Sequence, residues 1–464
     1  MRRILPLLLL SAILLGACAP TVTLLTREPD ASPTAKSTLM PPPAISTRAA
    51  PPTPTRAPDL GVRADALKGI EVVAWHGWDG SSASLFAQMA AEFTLSNEWG
   101  IKVKVVPQHN LNLLAAEVDK VIRTPEHPDI VLALPEQQLG WKDALTDLTP
   151  YVSHPEFGVD AKDFPAAFWE QSMVDGVRYG VPAARSARFV FYNVSFARSL
   201  GFNAAPQTPD EFRKQACAAN AFWKQDKDLT NDGYGGLALD VTPAWQTPYS
   251  WLAASGGQVF VDGSFHFNTP ENIFALDYVS KLRADNCAWP SASASNYEHL
   301  ASRRALFITG NLSDIAEQKT AFAAAASTDE WSVLPFPGQK PGIVVYGPDY
   351  AVLKSSAARQ LAAWLFIRWM LEPKNQARWA QETGLFPVRT SAIDLLKNER
   401  SANPQWSAAL DLIPLSKTYP QTAQWGLASR VMADGFIAYF GSFPNATLES
   451  VLSVMDATVE EMNK

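Results

Sequence analysis

The amino-acid sequence predicts an α/β fold, and three observations carry that prediction. Between residues 71 and 134, strand-like and helix-like hydrophobic patterns alternate in the order β-α-β-α-β. The third strand, Asp129-Ile130-Val131-Leu132-Ala133-Leu134, is a nearly continuous apolar run of the kind buried on both faces of a parallel sheet. An apolar content of 47% over 464 residues leaves core enough for two domains of ordinary size.

Taken in order, Glu71-Val72-Val73-Ala74-Trp75 reads as the first strand. Leu85, Met89 and Phe93 then recur at four-residue intervals and mark one face of a helix. Ile101, Val103 and Val105 alternate as a second strand, and Leu111, Leu114, Val118 and Ile122 return to helical spacing. Ligands of such sheets sit beyond the strand C-termini. That places Trp75-His76-Gly77-Trp78-Asp79 and Pro135-Glu136-Gln137-Gln138 beside any site, and both segments are rich in aromatic and polar groups. Farther on, 188–192 and 332–336 read as strands, and 208–222, 270–285, 357–371 and 448–462 as helices. Trp364, Trp369 and Trp379 lie in the late amphipathic helices and are assigned to the core. No repeat at a solenoid period is present.

The N-terminus supplies an address. Arg2 and Arg3 precede an apolar run, Ile4 to Leu15, of signal-peptide length and too short to span a bilayer. The run ends in Leu15-Gly16-Ala17-Cys18, which resembles the lipobox of bacterial lipoproteins. The resemblance implies a signal peptide over 1–17, cleavage before Cys18, and acylation of the Cys18 thiol and the new N-terminus. Two or more acyl chains anchor stably because each buried methylene contributes about 0.8 kcal/mol. Residues 18–66, with Pro41-Pro42-Pro43, Pro51-Pro52 and abundant Thr and Ala, read as a disordered stalk that cannot offset its ordering entropy by burial. The expected location is the extracytoplasmic side of the cell membrane, held by lipid alone. Without Arg2 and Arg3, 37 basic side chains face 46 acidic ones. This acidic balance excludes a nucleic-acid partner, which needs a basic stripe. With Cys18 lipidated, Cys217 and Cys287 remain, and two cysteines in an oxidising compartment suggest one disulfide.

Six further segments, in order along the chain, resemble the family 1 extracellular solute-binding proteins of ABC importers, the group that includes maltose-binding protein. They are Tyr179-Gly180-Val181-Pro182 with Phe191-Tyr192-Asn193; Leu200-Gly201-Phe202 with Pro206, Thr208-Pro209 and Glu211-Phe212; Trp251 to Gly256-Gly257; Arg303 to Asn311; Trp331 to Pro337; and Glu382 to Arg389. Leu312 departs from the pattern, standing where an aromatic is common. The resemblance implies a two-lobed periplasmic-binding-protein fold of type II, each lobe a mixed sheet flanked by helices, with the ligand cleft at the hinge. The lobes would comprise about 67–185 plus 347–386, and 186–346 plus 387–464. It further implies a monomer that captures a small solute and delivers it to a membrane permease driven by a cytoplasmic ATPase.

A sugar offers an apolar C–H face and a rim of hydroxyls, so its site wants aromatic rings and planar polar side chains. Candidates where the family places its cleft are Trp75, His76, Trp78, Asp79, Glu136, Gln137, Arg185, Trp245, Trp251, Asn311, Tyr346, Asp349, Tyr350 and Trp425. Arg185, at the first hinge crossing, has the alternative of pairing with a hinge carboxylate. The carboxylates Asp79, Glu136 and Asp349 keep an amine or polyamine ligand open, and paired carboxylates would serve a glycan hydrolase. A lipoprotein scaffold with no small ligand would have a cleft without convergent aromatics. No GxSxG elbow, P-loop or HExxH is present, so no catalytic residue is assigned and no cofactor is expected. Asp228, Thr230 and Asp232, followed by Gly233, match the first half of a calcium loop, but position twelve is Leu239 where a bidentate Glu belongs.

Overall fold

Two mixed β-sheets carry the chain, and the polypeptide passes between them close to the site. The computed structural model describes residues 60–174, 176–240, 244–291, 296–441, 443 and 445–462. The signal peptide, Cys18 and the stalk up to residue 59 lie outside the described residues. Residues 60–66 correct the expected stalk boundary. Leu60 and Val62 pack against the core, and Ala64–Leu67 forms a 3-10 turn that buries Leu67.

The first sheet has the spatial order Lys102–Pro107, Glu71–His76, Ile130–Ala133, Asp349–Val352, Gly180–Pro182. Its first three strands are parallel, and Asp349–Val352 runs antiparallel to both its neighbours. Parallel neighbours require crossover helices. Gly80–Ser96 supplies one, burying Leu85, Phe86, Met89, Ala90 and Phe93, and Leu111–Val121 supplies the other, burying Leu114 and Val118. Helices therefore cover the sheet, and Ile130–Ala133 is buried at every position.

The second sheet has the order Ala288–Ser291, Leu237–Asp240, Phe307–Asn311, Ser186–Asn193, Ile343–Tyr346, Ser416–Lys417. Ser186–Asn193 is its axis. Trp331–Leu334 pairs with the C-terminal half of that strand and Ile343–Tyr346 with the N-terminal half. Every residue of the axis strand is buried. Ala187, Phe189 and Phe191 join one hydrophobic core while Val190 and Tyr192 join the other, as the two-residue period of a strand requires.

The helix Pro209–Trp223 opens with a reciprocal cap. Thr208 Oγ1 accepts from the Glu211 N–H at 3.2 Å, and Glu211 Oε2 accepts from the Thr208 N–H at 3.3 Å. Cys217 on this helix is bonded to Cys287, across 70 residues of sequence. Closing a loop of that length stabilises the fold by about 4 kcal/mol in the chain-entropy treatment. Replacing both cysteines by alanine is expected to lower the unfolding free energy by about that amount in urea titrations. An unchanged midpoint would show that the bond contributes nothing to stability.

The two crossings between the sheets, at 183–185 and 347–348, lie against each other. Gly347 sits at φ +147°, and a Cβ there would stand 2.4 Å from the Ala184 carbonyl oxygen. Only glycine lets the crossings approach this closely. The 386 segment joins them, because the Phe386 N–H donates to the Arg185 carbonyl at 2.9 Å.

Candidate functional site

A cavity of about 570 Å³ opens at the crossings, beyond the C-terminal ends of the parallel strands. The first sheet contributes Gly77 and Trp78 from the loop after Glu71–His76, Asn110 to Asn112, and Leu134 and Glu136 from the start of the Pro135–Trp141 helix. The crossings contribute Ala184 to Ser186 and Tyr346 to Pro348. The second body adds Trp245, Gln246, Asn311, Ser313 and Tyr419. Four rings (Trp78, Trp245, Tyr346 and Tyr419) thus share one wall system with amide and hydroxyl side chains. The volume is within the range of small-molecule pockets.

Each lining group is held by its neighbours. The Trp78 N–H donates to His76 Nδ1 at 3.2 Å, and its ring lies 5.2 Å from that of Trp379. Gly77 is required here, since a Cβ would stand 2.7 Å from the backbone of Asn110 and Leu111. Tyr346 donates its hydroxyl to Asn311 Oδ1 at 2.7 Å, and burial pushes the phenol up to about 12, so it remains a donor. Trp245 packs edge-on against Tyr419 at 5.0 Å and Tyr346 at 6.0 Å. Tyr419 donates to Glu136 Oε2 at 3.2 Å, joining the two bodies across the cavity.

Glu136 is the unusual group. Burial raises its carboxyl to about 7 despite the favourable bond from Tyr419. A folded value above the unfolded 4.5 means that the native state holds the proton more tightly. Stability from this group is complete below about 4.5 and is lost as pH rises through about 7, by up to roughly 3 kcal/mol. Glu136→Gln is therefore expected to raise the melting temperature over wild type by roughly 3–4 °C above pH 8 and to leave it unchanged near pH 4.5. The same difference at both pH values would show that the carboxylate is not desolvated.

Behind the wall lies a buried ion pair. Arg185 Nη2 donates to Asp349 Oδ1 at 2.6 Å, with both side chains fully inaccessible. Arg185 also donates to the carbonyls of Ala184, Gly347, Pro348 and Phe168 and to Ser172 Oγ. Gln138 donates to the other Asp349 oxygen at 2.8 Å. The guanidinium therefore staples both crossings, which is the alternative that sequence reading held open for Arg185.

Of the residues expected from sequence, Trp78, Glu136, Trp245, Asn311 and Tyr346 line the cavity, and Arg185 borders it with its side chain inaccessible. The others are not among the residues that line it. Trp75 packs partly buried against the core cluster. His76 is buried against Phe86, and burial lowers it to about 4, so a neutral ring positions the Trp78 loop. Asp79 is exposed at the start of the Gly80–Ser96 helix. Gln137 accepts from the Leu134 N–H and locks the loop from behind. Trp251 is enclosed by Phe212, Tyr278 and Phe336. Asp349 is spent on Arg185 and Gln138, and Tyr350 is buried beside Phe86. Trp425 is 1% exposed and lies beneath Trp245 and Tyr419. Tyr419, Gln246 and Asn112 were not anticipated. Tyr419 sits in an irregular segment without periodicity, and only its aromatic type next to the Trp425 region pointed to it.

Two other places in the molecule lack this convergence. A larger crevice of about 880 Å³ is lined by Pro165, Gly256, Lys340, Arg400 and neighbours with one aromatic ring, Tyr249, so it lacks converging rings. In the candidate calcium loop, Asp228 Oδ1 accepts from the Thr230 N–H and hydroxyl, and Asp226 accepts from the Asp228 N–H and Asn231. These are the bonds of an exposed polar turn. Among the described residues no cluster of His, Cys, Asp and Glu is arranged to hold a metal, and no helix is long and apolar enough to cross a membrane.

Comparison with known proteins is consistent with this geometry. The family model described as bacterial extracellular solute-binding protein matches residues 88–412. A Deinococcus radiodurans protein named "Probable ABC transporter-binding protein" is 25% identical over 299 residues, 58% of this chain and 68% of that one. Among solved structures, the cyclic α-maltosyl-1,6-maltose binding protein of Arthrobacter globiformis is similar with a TM-score of 0.70 and 22% identity, covering 84% of this chain and 98% of that one. The sugar-binding protein MalE of Xanthomonas citri gives 0.72 and 19%, covering 84% and 97%. The fold is thus the two-lobed α/β architecture of periplasmic sugar-binding proteins.

Proposed function

The chain belongs to the bacterial extracellular solute-binding proteins of ABC transporters, and from that membership we propose that it binds a carbohydrate between two closing lobes. The observation that supports this reading is the convergence of Trp78, Trp245, Tyr346 and Tyr419 with Asn112, Gln246 and Asn311 on one cavity at the crossings. Rings offer flat apolar faces to sugar C–H groups, and amides offer paired donors and acceptors to the hydroxyl rim. Lobes of about 67–185 plus 347–386 and 186–346 plus 387–464 would close about the crossings. Ligand drives closure only through its greater affinity for the closed state. The closed form is then presented to the permease.

The test is a thermal-shift screen of the full chain against mono- and disaccharides, polyols and amines. A carbohydrate at about 100 times its Kd should add roughly 2.7 kcal/mol and be recovered chemically unchanged. A screen in which only simple amines raise the melting temperature overturns the carbohydrate reading, and release of reducing ends overturns the binder. The lipid anchor has its own test. Metabolic labelling with palmitate should mark the wild type and not Cys18→Ser, and equal labelling would remove Cys18 as the anchor.

A further inference from the structure

We propose that the captured carbohydrate carries a protonated amine and that this ammonium sits on the Glu136 carboxylate. The inference rests on the carbohydrate reading of the same cavity and narrows it to amine-bearing sugars.

The charge inventory of the wall points this way. Among the described lining residues the formal charges are those of Glu136 and Arg185. Arg185 is not available to a ligand anion, because its terminal amino groups are spent on backbone carbonyls, Ser172 and Asp349. Arg185 and Asp349 pair with each other inside the fold, Gln138 satisfies the remaining Asp349 oxygen, and the Asp349 charge still adds to the negative field at Glu136. Glu136 is left with neutral donors, its own backbone N–H and the Tyr419 hydroxyl, and among the described residues no cation pairs with it. A carboxylate taken out of water without a counter-charge is costly, and burial accordingly holds this one near 7. A phosphate or uronate in the cavity would face that group with no free cation to receive it. An ammonium would supply the missing charge and form a charge-assisted bond, stronger than one from a hydroxyl.

The remaining walls suit the same ligand. The four rings accept the cationic C–H and N–H groups beside an ammonium as readily as the apolar face of a sugar. Gln246 Oε1 is a buried acceptor without a partner, while Trp78 Nε1 is a buried donor without one, and both belong to cavity-lining residues. Acceptor capacity beyond Glu136 fits the several hydrogens of an ammonium, and the orphan indole donor fits a hydroxyl oxygen.

The experiment is titration calorimetry on the full chain with matched probes: glucose, galactose and mannose, their 2-amino-2-deoxy forms and their N-acetyl forms, together with cellobiose, chitobiose and diacetylchitobiose. At pH 7, at least one free amine should bind about ten-fold or more tightly than both its hydroxyl and its acetamide counterparts. Glu136→Gln should bring the three to within about three-fold of one another. Wild-type protein that binds the neutral sugar as well as or better than the amine overturns the inference and leaves the carbohydrate reading intact. An amine preference that survives in Glu136→Gln overturns the seat on Glu136. A panel in which no sugar binds removes the carbohydrate reading, and this inference with it.

Discussion

Arg185→Met is expected to cost about 3–5 kcal/mol of unfolding free energy, because it leaves the Asp349 carboxylate buried without its cation. Asp349 has no solvent access, and its remaining side-chain partner is Gln138, whose amide offers a neutral bond. The same substitution removes the donors on the Gly347, Pro348 and Phe168 carbonyls. Against a typical stability of about 5–15 kcal/mol, this is a large fraction. Asp349→Asn should cost less, since Arg185 keeps its carbonyl acceptors. The double variant Arg185→Met/Asp349→Leu should recover much of the loss, because removing both charges also removes the desolvation they require. Urea midpoints of the four proteins decide the matter. A loss below about 1 kcal/mol for Arg185→Met would mean that water reaches the pair and that the crossings are not stapled by it.

That pair also shows where sequence reading stops. Local patterns sufficed for the parallel βαβ unit, since Leu85, Met89, Phe93, Leu114 and Val118 are spaced as a buried helix face must be, and all five are buried. They also sufficed for the loops at the strand ends, and Trp78 and Glu136 reach the cavity from those loops. Arg185 and Asp349 are separated by 164 residues, and their contact depends on two crossings meeting, which no local period encodes. Aromatic type was the weakest guide. Trp251, Tyr350 and Trp425 are chemically as suited to a sugar as Trp245, yet they face the core. Which side of an element a ring takes is settled by tertiary packing. His76 illustrates the same limit on a single strand, where the inward side of the pleat leaves it a positioning group for the Trp78 loop.

Trp245 and Trp425 separate binding from stability in one comparison. Their rings are 5.1 Å apart and nearly perpendicular. Trp245 lines the cavity on one side and rests on Trp425 and Tyr419 on the other. Trp425 is 1% exposed, enclosed by Trp245, Tyr249, Tyr419 and Phe265. Trp425→Ala should therefore open a large internal void and cost about 3–5 kcal/mol of stability. Trp245→Ala, whose ring is already partly in solvent, should cost about 1 kcal/mol of stability but about 2 kcal/mol of carbohydrate affinity, roughly thirty-fold. Affinity in Trp425→Ala should fall less than in Trp245→Ala, because the first layer survives with weaker support. Trp425→Phe should restore most of the stability, since a smaller ring still fills much of the space. Paired urea and calorimetric titrations read both quantities. If Trp425→Ala instead lost affinity with its stability intact, the ring would have to reach the ligand in the closed protein, and the division into a binding layer and a supporting layer would fall.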